Sequence, residues 1–166
     1  MTFASIPAGA AIFLDANTLI YHFANDPKYG SACTQLIKRV ELRQVQGFTS
    51  AHVLADVAHR LMTLEAIGLR GWSPAGIAAR LRKQHVDIPK LTVYRQAIAR
   101  IPLLGIQVLS LSYALVEAAT KLTHQYELLT GDGLIVAFMQ QHGLVTLASN
   151  DTDFDRVSGI TRYAPV

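Results

Sequence analysis

Ala11-Ile12-Phe13-Leu14-Asp15-Ala16-Asn17-Thr18 is the stretch on which the reading of this chain turns. Four apolar residues make a short buried strand, and the chain then becomes polar at an aspartate. A carboxylate set against buried hydrocarbon is costly unless something positive compensates it. In open α/β sheets the carboxyl ends of the strands are also where ligands bind. The plainer reading of Asp15 is an N-cap for the helix that follows. Its companions favour the first reading, because the pattern recurs. Asp56 lies in Val53-Leu54-Ala55-Asp56, Asp132 follows Thr130-Gly131, and Asp151 ends Leu147-Ala148-Ser149-Asn150-Asp151. Four such carboxylates at one sheet edge would repel one another. A hard divalent cation relieves that repulsion and supports phosphoryl chemistry.

Outward from residue 11, strand-like apolar runs alternate with longer amphipathic segments, which predicts an α/β fold with a mainly parallel sheet of four to five strands. The expected strands are 11–14, 47–49, 105–109, 144–148 and an edge strand at 160–163. Helices are expected over 17–24, 31–44, 51–66, 91–100, 112–126 and 130–141. Ser50 suits the N-cap of the third of these, Gly68 to Trp72 reads as a turn, and Ser73-Pro74 reads as the start of a helix ending near His85. No repeat or linker interrupts the pattern, so residues 1–166 are expected to form one domain, with 1–10 as a flexible tail.

The composition fits a globular chain: 51% of the 166 residues are apolar and the net charge is +3. One cysteine, Cys33, excludes an intramolecular disulfide and a thiolate zinc site, and a reducing cytoplasm is the natural setting. The uncharged N-terminus lacks a basic region and carries Pro7 and Gly9, unlike a secretory signal. The longest uncharged stretch, 101–116, is too broken to span a bilayer. Between Arg70 and Arg100 there are seven basic residues and one acid, Asp87. This segment reads either as a solvated helical face or as a phosphate-facing rim.

Each carboxylate has its bland alternative. Asp56 stands four residues before Arg60, as in an ordinary helical ion pair. Asp132 gains from the dipole at a helix start, yet the residues after it are apolar. Asp151, Asp153 and Asp155 put three acids into five residues, more than capping requires. His52 and His59 are spaced to share a helix face, and each reads as a surface or packing residue. There is no Gly-rich phosphate loop, Gly-x-Ser-x-Gly or His-Glu-x-x-His.

Taken together, four segments resemble the PIN domain, the small metal-dependent ribonuclease fold of VapC-type toxins. They are Leu14-Asp15-Ala16-Asn17-Thr18-Leu19-Ile20-Tyr21, Thr49-Ser50 leading to Asp56, Asp132-Gly133-Leu134-Ile135-Val136-Ala137, and Ser149-Asn150-Asp151-Thr152-Asp153-Phe154. The resemblance runs from Ile12 to Tyr163. It implies a three-layer α/β/α fold and an Mg²⁺- or Mn²⁺-dependent endoribonuclease. Asp15, Asp56, Asp132 and Asp151 would be its catalytic carboxylates, and Asp15, Asp132, Asp151 and Asp153 its metal ligands. Asn17 and Ser149 would stand behind them. Arg80, Arg82 and Lys83 would grip the RNA backbone. The partners implied are an antitoxin protein and a second copy of the chain, docking on the early helices 18–23 and 31–45. The sequence departs from the family twice. Asp56 stands where Glu is commoner, so its contact with a metal would run through water. Gly133 stands where Ala is commoner, weakening the helix start by roughly 1 kcal/mol. Two other readings stay open: a non-catalytic RNA- or protein-binding module on the same fold, and an aspartyl-nucleophile phosphatase suggested by Asp15-Ala16-Asn17-Thr18.

Overall fold

The structure, a computed structural model, describes residues 1–166. The strands are β1 (Ala11–Leu14), β2 (Gln46–Ser50), β3 (Gln107–Leu109), β4 (Thr146–Ala148) and β5 (Thr161–Tyr163). The helices are α1 (Ala16–Phe23), α2 (Gly30–Glu41), α3 (Ala51–Arg70), α4 (Ile77–Lys83), α5 (Val93–Arg100), α6 (Tyr113–Tyr126) and α7 (Thr130–Gln141). The five strands form one sheet in the order β3-β2-β1-β4-β5, and every pairing is parallel.

Successive strand residues point to opposite faces of a sheet, yet Ile12, Phe13 and Leu14 are all fully buried. Both faces are therefore covered by helices, as a parallel sheet requires, and the architecture is three-layered. From β1 the chain proceeds outward to β2 and β3 on one side and later returns to β4 and β5 on the other. The crevice between β1 and β4, where Leu14 stands level with Ala148, is thus the point where strand order reverses. Open α/β sheets place their ligands at that point.

Helix starts follow the local chemistry. The side chains of Asp15, Ser50 and Ser112 cap α1, α3 and α6, accepting from the N–H groups of Ala16, Val53 and Leu115. Two expected boundaries shift. Helix α3 runs through Gly68, which faces open space, and stops only at Gly71, whose φ of 64° makes a left-handed cap. Helix α4 starts at Ile77 rather than at Ser73-Pro74, because Gly76 at φ 71° interrupts the helical path.

The expected flexible tail at 1–10 is a correction. Phe3 and Ile6 are buried, Phe3–Ser5 forms a 3₁₀ turn, and Thr2 bridges to Ala164. Arg39 fixes the segment by donating to the carbonyls of Phe3 and Ile6. The uncharged N-terminus had resembled a tail because its apolar residues are covered by chain more than thirty residues away.

The early helices also turn inward more than a docking surface would. Thr18, Leu19, Cys33, Leu36, Ile37 and Val40 are all buried. The exposed apolar side chains Leu103, Val108, Leu111, Tyr113 and Val116 lie instead around the β3 edge. No helix is long and apolar enough to cross a membrane.

Helices α6 and α7 approach so closely that a Cβ at Gly133 would sit 2.3 Å from Thr123 Oγ1 and 2.9 Å from the carbonyl oxygen of Ala119. Glycine here serves packing, against its own helix propensity. Gly133→Ala is expected to lower the melting temperature by about 3–6 °C despite better helix propensity, because overpacking outweighs the gain. Thermal unfolding of the purified variant checks this.

Candidate active site

Two strand ends and the opening turns of two helices deliver carboxylates to the switch point. Asp15 follows β1, Asp151 follows β4, Asp56 projects from the second turn of α3, and Asp132 from the first turn of α7. All four line one open cleft of about 410 Å³, together with Asn17, His52, His59 and Arg60.

Asp15 is the most constrained of them, with 7% of its surface exposed. Its Oδ1 accepts from the Ala16 N–H at 2.5 Å, and its Oδ2 accepts from Asn17 Nδ2 at 2.5 Å and Ser149 Oγ at 2.6 Å. Asn17 is held in turn, because its Oδ1 accepts from the Asn150 N–H at 3.0 Å. Ser149 Oγ also accepts from the Asp151 N–H at 3.0 Å. Asn17 and Ser149 therefore tie the end of β1 to the end of β4. Thr18, donating to the Ala148 carbonyl, and Thr49, donating to that of Leu14, close the crevice from below.

The electrostatics are those of a site short of positive charge. Burial pushes Asp15 up to about 6; the hydrogen bonds from Ser149 and Ala16 oppose the rise, and repulsion from Asp132 and Asp151 adds to it. Asp132 is also pushed up to about 6, by burial and then by Asp151 and Asp153, with His52 and Arg156 offsetting part of the rise. None of Asp15, Asp132 and Asp151 has an ion-pair partner. Three carboxylates that feel one another across a cleft, none of them in an ion pair, suit a hard cation. No three carboxylate, imidazole or thiol groups converge tightly enough to cage an ion directly. A divalent ion held here would keep several waters and take one or two of the carboxylates.

Other expectations resolve unevenly. Asp56 pairs with His52 at 3.6 Å rather than with Arg60, and its side chain is 60% exposed. Asp153, expected as a further ligand, is outside the cleft lining; its carboxylate pairs with Arg156 at 2.5 Å and its N–H bonds to Asp151. Arg80 donates to the Ser73 carbonyl, while Arg82 and Lys83 stand exposed on α4. Arg70 and Lys90, counted in the basic rim, are both engaged by the buried Asp87, which they hold below the usual carboxylate range.

Three residues of the cleft do not stand out as functional in the sequence. His52 and His59 read as surface or packing residues, and Arg60 as a mere partner for Asp56, yet all three face the carboxylates. The i,i+4 spacing of His52 and Asp56 was the available signal. His52 lies against the start of α7, where a Cβ at Gly131 would be 3.4 Å from its Nε2. Arg162 had no signal at all. From β5 it donates to the Ser149 carbonyl at 3.1 Å and grips Asp155 with two bonds of 2.8 Å, bracing the Ser149–Asp151 turn.

A parallel sheet whose switch point gathers four carboxylates defines an α/β protein with an acidic crevice. The comparisons with known proteins agree with that class and narrow it. The chain belongs to the PIN domain family, whose model matches residues 12–160. Among solved structures it is similar to Mycobacterium tuberculosis VapC20, a sarcin-ricin-loop-cleaving toxin, with 19% identity, TM-score 0.58 and coverage of 87% of this chain and 92% of that one. It is similar to the Rickettsia felis VapBC2 complex bound to a promoter DNA fragment, with 14% identity, TM-score 0.55 and coverage of 93% and 98%. It is also similar to a toxin–antitoxin complex from Klebsiella pneumoniae, with 19% identity, TM-score 0.52 and coverage of 90% and 95%. At these identities the likeness is one of fold. No curated protein matches the chain.

Proposed function

We propose that this chain is a divalent-cation-dependent endoribonuclease acting as the toxin of a toxin–antitoxin pair. The observation that carries the reading is the set of uncompensated carboxylates lining one cleft at the switch point. Membership of the PIN family and the likeness to toxin structures support it.

In this reading Asp15, Asp132 and Asp151 hold the cation, Mg²⁺ or Mn²⁺, and Asp56 reaches it through water. The ion, when bound, lowers the pKa of a water and neutralises charge on the scissile phosphate. Asn17 and Ser149 hold Asp15 in one orientation through their bonds to its Oδ2. Such supporting bonds fix the geometry of ligating carboxylates. Arg60, in the cleft and without an ion-pair partner, binds a phosphate of the strand. Arg80, Arg82 and Lys83 on α4 extend that contact along the backbone, giving salt-dependent binding with little sequence information.

The phosphatase alternative loses ground at Asn17, which stands where the second acid of an Asp-x-Asp-x-Thr nucleophile motif would be. The protein partners, an antitoxin and a second copy, would find their apolar surface at the exposed β3 edge.

Incubation of the purified protein with single-stranded RNA and Mg²⁺ tests the reading. Cleavage abolished by a chelator and restored by Mn²⁺ is expected, and intact RNA under all conditions would remove it. Arg162→Ala, which frees the Ser149–Asp151 turn, is expected to lower the cleavage rate by about 10–100-fold. Rate measurement at saturating metal beside a melting curve separates this from a loss of fold.

A further inference from the structure

A second hollow, of about 360 Å³, opens beside the acidic cleft between α3 and α4. Met62, Ala78, Leu81 and Ile88 form its walls, and His59 and Arg82 stand at its rim. His59 lines both this hollow and the acidic cleft, so the two flank the same side chain. The hollow rests on a small separate core of Ala66, Ile77, Leu81 and Leu91, which gives it a firm base.

We propose that this hollow receives one nucleobase of the strand being cut, next to the phosphate held in the cleft. The inference rests on the ribonuclease reading and assigns a subsite to it. Asp56 and His59 are three residues apart on α3, and such residues are neighbours on a helix surface. A strand whose phosphate lies at the carboxylates therefore passes His59 within one step.

The chemistry of the lining suits a base. Unstacked RNA bases are held on imidazole and guanidinium planes and in apolar recesses, and the hollow offers His59, Arg82 and a hydrocarbon wall together. Its surroundings suit the attached backbone. Arg60, Arg82 and Lys83 have no acidic partner, while the only acid between Arg70 and Arg100, Asp87, is already engaged by Arg70 and Lys90. An apolar side chain from a protein partner would fill the walls but leave this basic rim unmatched, so RNA is the occupant the charges favour.

Cleavage of a random-sequence single-stranded RNA pool, with sequencing of the cut ends, tests the subsite. The variants are Ala78→Trp, which fills the hollow from an exposed position, and Ala78→Glu, which sets a negative charge in its wall without burying anything. Hydrolysis of the small diester bis(p-nitrophenyl) phosphate reports on the cleft alone. The wild-type protein is expected to prefer certain bases at a single position beside the cut. Both variants are expected to lose that preference and to cut RNA about 5–100-fold more slowly, the loss of one stacked base, with diester hydrolysis unchanged. Wild-type cleavage with the same preference and rate in both variants would overturn the subsite and leave the hollow to a protein partner. Failure of the wild-type protein to cut RNA at all would instead remove the ribonuclease reading, and the subsite with it.

Discussion

Asp15→Asn is expected to lower metal-dependent RNA cleavage by at least about a hundredfold, since a bound ion contributes several kcal/mol of charge stabilisation and each 1.36 kcal/mol is a factor of ten. The same substitution is expected to raise the melting temperature of the metal-free protein. Asp15 is buried among acids, and its carboxyl sits at about 6 against an ordinary 3.8. Keeping it ionised at neutral pH costs on the order of 3 kcal/mol of folding free energy. The amide fills the same space without the charge; its NH2 replaces one accepting oxygen, and the hydrogen bond lost there costs about 1–2 kcal/mol, less than the charge does. Loss of activity with gain of stability separates a functional carboxylate from a structural cap, for which both would fall. Rates at saturating Mg²⁺ together with melting curves under chelation check the pair of outcomes.

The second large effect is a dependence of stability on pH that metal reverses. Asp15 and Asp132 both titrate near 6 in the fold and near 3.8 in the unfolded chain. Between those values the folded protein binds more protons than the unfolded one, so stability falls as pH rises through this window. The cost is absent below the unfolded value and complete above the folded one. Without metal, these two groups make the protein less stable at about pH 7.5 than at about pH 4.5. A divalent cation at about a hundred times its dissociation constant is expected to add roughly 5–10 °C to the melting temperature at the higher pH. At the lower pH protons occupy the carboxylates and the gain vanishes. Melting curves at both pH values, with Mg²⁺ and with chelator, check this. A metal shift of equal size at both would place the ion away from Asp15 and Asp132.

The parts of this molecule legible in the sequence are those where local chemistry decides the outcome. Strand β1 is readable because four apolar residues end in a capping aspartate, and α3 and α6 because Ser50 and Ser112 stand before amphipathic runs. The four carboxylates are readable because each interrupts apolar sequence, which calls for an explanation in cost. What depends on relative placement is not legible. His59 and Arg60 reach the cleft only because α3 packs beside α1 and β2. Arg162 matters because β5 lies beside β4, bringing it to the Ser149 carbonyl thirteen positions away. Gly133 looks like a weakness in α7 until the closeness of α6 is known. The buried N-terminus depends on Arg39, and Asp153 on Arg156, pairs whose meaning appears only in three dimensions.

Titration of the metal-free protein with Mn²⁺, followed by the loss of the free-ion electron paramagnetic resonance signal, tests the acidic cleft most directly. The account predicts saturable binding by the wild-type protein at neutral pH, and its loss in both Asp15→Asn and Asp132→Asn. Binding of equal strength in wild type and both variants, or none in the wild type, would contradict it.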